Sequence, residues 1–412
     1  MGVNSVTVRS ESIWNRNFIC AIIANFLLAM AHTSVNTLAS TYAAFLGAEA
    51  VLVGALTSIF FGVSVAMRPI AGPLTTRLNN RTLMIVVYIL GVLVHVGYTL
   101  FNGVGSFLFF RILNGIQYSI IGSLTMKTAS DSLPVSKAAS GIGVYCISNS
   151  AANALGPSAG VIARDLGTKA AGELFGFRCV FVFAAVMMIL ALIPVFCLND
   201  PGKPKKLAGS VWYKEMFSPH ALAPALALML LMMSYSLFSA YMVPYAAKKG
   251  IPGISTFFLV HAMCLVGTRP LFGTLADKSG LMKITLPGAL LFTIPLVIVA
   301  RGETLAVMLL AGVLAAVTHG AVYPTLQAMC MKAELPEKSG VASNTVYLGI
   351  DLGYFLGPLV GSIVYSQTSY ETMYASSVIP CFLAAAILVA FWPRIRRRHQ
   401  LVADERNVSE SI

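Results

Sequence analysis

Charge is scarce in this chain. Only 11% of its 412 residues are Asp, Glu, Lys or Arg, 57% are hydrophobic, and the mean hydropathy is +0.79. A water-soluble domain of this size could not bury so much apolar surface. Lipid solvates such surface readily, provided the backbone is helical and satisfies its own hydrogen bonds. The cysteines (Cys20, Cys146, Cys179, Cys197, Cys264, Cys330 and Cys381) all fall in apolar stretches and form no C-x-x-C pair. That argues against a zinc site or a disulfide framework, and no metal or cofactor is expected. There is no G-x-x-x-x-G-K-[ST] phosphate loop, which excludes an ATP-driven pump of that type. A nucleophile elbow, a histidine–acid metal cluster and an extramembrane domain are also missing, so the chain is not expected to be an enzyme. Residues 1–13 are polar, and no cleavable signal is expected ahead of the first apolar stretch.

What is present is a run of apolar stretches long enough to cross about 30 Å of hydrocarbon. They fall near 17–43, 50–73, 82–101, 105–129, 138–162, 177–198, 220–246, 254–276, 283–300, 304–330, 340–366 and 372–393, and are numbered spans 1 to 12. The formal charge of +12 is unevenly spread. With the N-terminus taken as cytoplasmic, the inner loops and tails hold 19 Lys and Arg, and the outer loops hold six. Arg68, Arg111 and Arg269 lie within spans. This bias places both termini inside. The tail Arg394-Ile395-Arg396-Arg397-Arg398 reads as a topology anchor near anionic lipid rather than a nucleic-acid site.

One phrase occurs twice. Arg68-Pro69-Ile70-Ala71-Gly72 recurs as Arg269-Pro270-Leu271-Phe272-Gly273, 201 residues later. Asn114-Gly115-x-x-Tyr118 matches His319-Gly320-x-x-Tyr323. Leu133-Pro134 with Tyr145 matches Leu335-Pro336 with Tyr347. Gly156-Pro157-x-x-Gly160 matches Gly357-Pro358-x-x-Gly361. Four landmarks in one order describe two parallel copies with an even number of spans each, an arrangement common in secondary transporters. The expected layout is a cytoplasmic tail (1–16), a six-helix bundle (17–198), a cytoplasmic linker (199–219), a second six-helix bundle (220–393) and a basic cytoplasmic tail (394–412).

These landmarks resemble the major facilitator superfamily over nearly the whole chain. Gly72 and Arg77 fit that family's G-x-x-x-D-R/K-x-G-R-R/K loop signature after span 2, but Thr76 stands where the acid is expected and Asn79 where glycine is. The second copy keeps Gly273, Asp277, Lys278 and Gly280, and departs at Leu281 and Met282. Arg111-Ile112-Leu113-Asn114-Gly115 resembles the span-4 signature, and Gly156-Pro157-Ser158-Ala159-Gly160 the core of the span-5 antiporter signature. The stretch from Ala129 to Gly160 most resembles the twelve-span bacterial drug and sugar efflux branch, with Ala152 replacing one expected glycine. The resemblance implies an all-α integral membrane fold of 12 transmembrane helices in two pseudo-symmetric six-helix bundles. It also implies a cell (cytoplasmic or inner) membrane location, a small-molecule substrate and protons as partners, and a monomer.

Gly349, Gly353, Gly357 and Gly361 recur every four residues on span 11, a smooth stripe that lets a neighbour approach closely. Pro157 and Pro358 each remove a backbone donor and should bend their helices. Bends beside such stripes suit bundles that rock, or tight static packing. Asp351 lies about 200° around the helix from Gly349 and Gly353, on the face of Asn344, Tyr347 and Tyr354. It is the one acid placed inside a span, and a carboxylate there is costly. That makes it a candidate proton carrier or counter-charge, or an acid held permanently by Asn344 or a tyrosine. Arg111, Asn114 and Tyr118 share a face of span 4, and the resemblance gives Arg111 a part in proton coupling. Arg68 and Arg269, beside prolines near the inner surface, read as gating or structural residues that snorkel or bond loop carbonyls.

By resemblance, spans 1, 4, 7 and 10 surround the central cavity. Asn25, His32 and Asn36, with His319, Tyr323 and Gln327, would then touch substrate. Tyr235, Tyr241 and Tyr245 could form an aromatic wall. His95 and His261 read as ordinary helix-to-helix bonders. Gly72, Arg77, Gly273, Asp277 and Lys278 would form the gating loops, the latch in the first copy being weaker because Thr76 brings no charge. The expected function is secondary active export of a small amphipathic or weakly polar organic molecule, driven by inward proton flow. The alternative is uptake of a metabolite with protons.

Overall fold

A computed structural model describes residues 12–48, 50–134, 137–199 and 216–410. The described helices follow the apolar stretches but overrun them. Spans 1 to 6 are Arg16–Phe45, Ala50–Arg77, Asn80–Leu100, Val104–Asp131, Ala138–Ala171 and Glu173–Phe196. Spans 7, 8, 10 and 11 are Leu222–Lys248, Ser255–Ser279, Leu305–Lys332 and Ser339–Gln367. Span 9 is broken into Leu281–Leu291 and Thr293–Arg301. Pro295 has no N–H to give to the carbonyl of Leu291, so the ladder fails there. Span 12 breaks for the same reason ahead of Pro380, into Tyr370–Ser376 and Val378–Glu410. The expected basic tail is therefore a helical continuation of span 12 up to Glu410. Most of the expected linker, 200–215, lies outside the described residues.

Polar side chains start the helices where the sequence supplies them. Asn15 Oδ1 accepts from Phe18 N at 2.9 Å, and Asn79 Oδ1 from Thr82 N at 3.0 Å, satisfying donors that a helix N-terminus leaves open. The two copies of the loop signature fold differently. Gly280 ends span 8 at φ 97, a conformation that favours glycine. Asn79 holds φ −63 and caps span 3 instead.

Among the described residues, eleven helices are long and apolar enough to cross a membrane. The fifth, Ala138–Ala171, is not among them. It carries Ser140, Ser148, Asn149, Ser150, Asn153 and Ser158, and it packs mainly against spans 1, 6 and 8. Lipid-facing surface is evident elsewhere: Val86, Leu93 and Leu100 on span 3 are each more than half exposed, at seven-residue steps.

Buried apolar side chains form two clusters. One belongs to spans 1 to 4 and 6. The other fills spans 7 to 12, and takes in Phe18, Ala21, Met126, Ala129, Ile142, Tyr145 and Cys146 from the first half. The two halves thus share a core at one end. It is the end bearing the start of span 1 and the C-terminal helix, which we call the terminus face.

The glycine stripes lie inside the halves, not between them. A Cβ on Gly349 would sit 2.5 Å from the carbonyl of Ala225 on span 7, and one on Gly160 would sit 2.8 Å from the carbonyl of Ser34 on span 1. Gly353, Gly357 and Gly361 press on span 7 likewise, as Gly156 does on span 1. These seams hold each half together as a body, so the static-packing reading applies to them. The halves approach closely at Gly143, where a Cβ would meet the carbonyl of Arg269 at 2.8 Å, beside Gly273, and at Gly340, where one would meet Thr75 of span 2.

Candidate functional site

Span 2 packs along span 11 and span 5 along span 8, and spans 4 and 10 meet spans 11 and 5 beside them, to make the seam between the halves. Asp351 projects from span 11 into that seam, opposite the glycine stripe as helix geometry requires. Its partner is not Asn344 or a tyrosine but Arg68. The ion pair measures 2.6 Å, with both side chains at 0% exposure. Arg68 Nε also donates to Asp351 Oδ2 at 3.0 Å, and Ser64 Oγ to the same oxygen at 2.8 Å. The rest of the guanidinium is anchored on span 4, through Nη1 to the Ser119 carbonyl at 2.6 Å and to Ser123 Oγ at 2.9 Å. Asp351 Oδ1 is buried without a hydrogen-bond partner among the described residues.

The snorkelling expected of Arg68 does not occur. Arg68 lies nine residues from the end of its helix, about 13 Å at 1.5 Å per residue, and it is wholly buried. Sequence reading missed Ser64, Ser119 and Ser123. The signal available was their spacing: Ser64 stands one turn before Arg68, and Ser119 and Ser123 one turn apart.

Asn344 binds the same region from its other side. Its Nδ2 donates to the backbone carbonyl of Arg68 at 2.5 Å and to that of Met216 at 3.0 Å. Tyr347 puts its ring over Arg68, 5.0 Å from the guanidinium carbon. Tyr145 OH donates to Asn25 Oδ1 at 3.0 Å and stands 3.5 Å from Tyr347 OH. Asn25 Nδ2 in turn donates to Ser148 Oγ at 2.5 Å.

Arg269 holds the matching place in the second copy. It too is buried, and it reaches across the seam to the Cys146 carbonyl of span 5. That carbonyl belongs to a helix, not to a loop. Arg269 lies under Tyr323, 5.1 Å from its ring centre, and Nη2 stands 3.5 Å from His319 Nε2. Cys146 Sγ donates to Gln327 Oε1 at 3.0 Å. Tyr235 stacks on His319 at 3.9 Å between centroids. His261 Nδ1 is 2.9 Å from the Gly312 carbonyl, so that nitrogen carries the proton, and Nε2 accepts from Tyr235 OH at 3.0 Å. Tyr241 and Tyr245 do not join this group. They bond to the carbonyls of Pro358 and of Val299 and Ala300, so the aromatic wall reduces to Tyr235.

The remaining expected cavity residues form a separate cluster inside the first half. Arg111 donates to Asn36 Oδ1 at 2.6 Å and to the Leu56 carbonyl at 3.1 Å, and lies over Phe60. His32 packs on Tyr118 at 5.0 Å and on His95 at 6.2 Å, with Asn114 and Gln117 buried beside it. The arrangement ties spans 1 to 4 together and borders the Asp351 site, since its Tyr118 directly precedes Ser119, whose carbonyl holds Arg68.

At the terminus face, Asp277 Oδ2 accepts from the backbone N of Ser140, in the first turn of span 5, at 2.7 Å. The matching contact of the first copy carries no charge: Thr75 presses against Gly340, and Thr76 donates to the Pro73 carbonyl at 3.1 Å. Gly72 and Gly273 are buried, whereas Arg77 and Lys278 are exposed.

Comparison with known proteins places this geometry in context. The sequence profile of the Major Facilitator Superfamily matches residues 21–343 and again 268–409. The multi-drug resistance efflux pump PmrA of Streptococcus pneumoniae is 24% identical over 92% of this chain and 94% of that protein. The staphylopine export protein of Staphylococcus aureus is 20% identical over 80% of this chain and 84% of its own length. Among solved structures, the human organic anion transporter MFSD10 aligns with a TM-score of 0.75 at 15% identity, covering 90% of this chain and 99% of that one. The transporter FucP aligns at 0.73 and 18%, covering 92% and 98%. At these identities the structural likeness speaks for the fold.

Proposed function

This chain belongs to the major facilitator superfamily of membrane transporters, and we propose that it is a proton-coupled exporter of a small amphipathic organic molecule, working by alternating access. The carrying observation is the wholly buried Arg68–Asp351 pair, which joins the two halves and leaves Asp351 Oδ1 without a partner. Both halves must part along this seam if the terminus face is to open. Parting with the pair charged would strand two ions at membrane depth, at several kcal/mol each. A proton on Asp351 removes one of those charges and weakens the hold on the other. Proton binding and opening are then one event, as linkage requires.

Names of relatives support the direction of transport, since two that match over most of their length are an efflux pump and an export protein. The distribution of Lys and Arg supports cytoplasmic termini in a cell membrane. In this reading the layout is two six-helix bundles joined by the 199–219 linker. Tyr347, Asn344, Asn25, Tyr235, His319, Tyr323 and Gln327 line the cargo path. The Asp277–Ser140 contact and Gly72, Gly273, Arg77 and Lys278 belong to the inner gate. Arg111, bonded to Asn36 rather than to Asp351, organises the first half, and coupling rests on Asp351.

The test is transport in proteoliposomes with an imposed pH gradient. Asp351→Asn should abolish gradient-driven transport while leaving gradient-independent exchange of cargo. Retention of gradient-driven transport by Asp351→Asn would overturn the assignment.

A further inference from the structure

Arg68 and Arg269 are counterparts in the repeat, but they are equipped differently. Arg68 has Nε, Nη1 and Nη2 all donating, and its charge is met by Asp351. Counting back from Gly156 with Gly357 and Gly160 with Gly361 aligns Ser150 with Asp351, and counting on from Tyr145 with Tyr347 aligns Asn149 with it. Where one copy has a carboxylate, the other has an uncharged side chain in either register, and Ser150 is the one turned to the seam.

Ser150 is 1% exposed, and its Oγ donates to the Cys146 carbonyl at 3.3 Å. Arg269 Nη1 donates to that same carbonyl. The two side chains therefore meet at one oxygen, across the seam. Arg269 is 4% exposed, makes no ion pair among the described residues, and has no acceptor for Nε. Its other neighbours are a histidine nitrogen at 3.5 Å and the face of Tyr323. A guanidinium at membrane depth without an anion is expensive, and such residues mark sites of function. Nothing in the repeat demands the missing acid, because the first interface keeps its own. A planar cation that donates in a fork suits a carboxylate or a phosphate.

We infer that the cargo is a small organic anion whose carboxylate or phosphate pairs with Arg269 and whose apolar body lies against Tyr235, His319 and Tyr323. This rests on the reading of the seam as the cargo path. It replaces the weakly polar solute suggested by the tyrosines and asparagines of the expected cavity with an amphipathic acid. The anion takes the place that Asp351 fills in the other copy.

The experiment uses the full-length protein in detergent and in proteoliposomes. Binding is read by thermal shift with three probes of one shape: 1-naphthoate, 1-naphthyl phosphate and 1-naphthamide. Transport is read with 5-carboxyfluorescein as the anionic dye and ethidium as the cationic one. Naphthoate or naphthyl phosphate should bind and slow carboxyfluorescein transport, and whichever binds more tightly names the acid; naphthamide should do neither. Arg269→Gln should weaken the acid probes tenfold or more, and Arg269→Lys should recover part of that loss. Ser150→Asp supplies the missing acid in place. It should abolish binding of the acid probes while folding at least as stably as the parent, which separates loss of the site from loss of the fold. Unchanged binding of the acid probes by both Arg269→Gln and Ser150→Asp would overturn the inference. So would gradient-driven transport of ethidium that no acid probe slows, which would leave the exporter reading standing. Carboxyfluorescein transport indifferent to the pH gradient would do the reverse: the anion assignment would stand and proton coupling would fall.

Discussion

Removing one member of the Arg68–Asp351 pair should be far more damaging than removing both. Oδ2 of Asp351 accepts three hydrogen bonds, from Arg68 Nε at 3.0 Å, Arg68 Nη2 at 2.6 Å and Ser64 Oγ at 2.8 Å. Asp351→Leu leaves Arg68 charged, buried and short of its anion. A single break of this kind costs about 3–5 kcal/mol. Arg68→Met leaves the carboxylate stranded, with a similar penalty. The double variant Arg68→Met/Asp351→Leu strands no charge, although Ser64 Oγ loses its acceptor, and it gains apolar packing. Replacing a buried pair by apolar groups is commonly neutral or stabilising by about 1–4 kcal/mol. The two single changes should therefore sum to about 6–10 kcal/mol, whereas the double change should come within about 2 kcal/mol of the parent, a coupling of several kcal/mol. The assay is reversible unfolding of the purified protein in mixed detergent, with all four members of the cycle on one denaturant scale. The double variant should fold well yet transport without gradient dependence. Single variants as stable as the parent would refute the reasoning, because the pair would then not be desolvated as described.

Gly349→Ala should destabilise the second half by about 1–3 kcal/mol, the usual cost of overpacking, because its Cβ would lie 2.5 Å from the Ala225 carbonyl. Thermal unfolding of the variant checks this. Glu334 is 3% exposed and accepts from Ser218 Oγ at 2.6 Å, with Arg398 of the C-terminal helix 3.4 Å away. Glu334→Ala should cost about 1–3 kcal/mol by orphaning that hydroxyl and should speed proteolysis beyond Pro393. Asp277→Ala removes the acceptor of Ser140 N. In a variant whose only cysteine is the buried Cys146, alkylation from the terminus face should rise up to about tenfold, the equivalent of 1.4 kcal/mol.

Architecture was legible because it is written in long signals. Spans of twenty or so apolar residues, a charge bias between loops and a phrase repeated at 201 residues each average over many positions. Helix geometry also set Asp351 on the face away from its glycines, as the structure has it. What could not be read was the partner of Asp351, since Arg68 stands 283 residues earlier and meets it only when the halves close. Glycine stripes were ambiguous for a related reason. A run of small residues promises a close neighbour but does not say whether that neighbour belongs to the same half. The cavity list mixed two places, because Arg111 with His32 and Arg269 with His319 both read as polar faces of apolar helices. Span 5 was counted among the apolar stretches and matched in the repeat, yet its serines and asparagines, of which Ser148 and Ser150 are buried and Asn153 and Ser158 exposed, lower its hydropathy.

The central claim is that a proton on Asp351 releases the seam. Spin labels at Leu78, after the last turn of span 2, and at Glu337, just ahead of span 11, sit on exposed positions of opposite halves at the terminus face. Pulsed electron–electron distance measurements should give a short distance near neutral pH, and a longer population that grows as the pH falls. The variant Asp351→Asn should show the longer-distance population at every pH, in a proportion that pH does not change. A distance that stays short in acid and in Asp351→Asn would contradict the account.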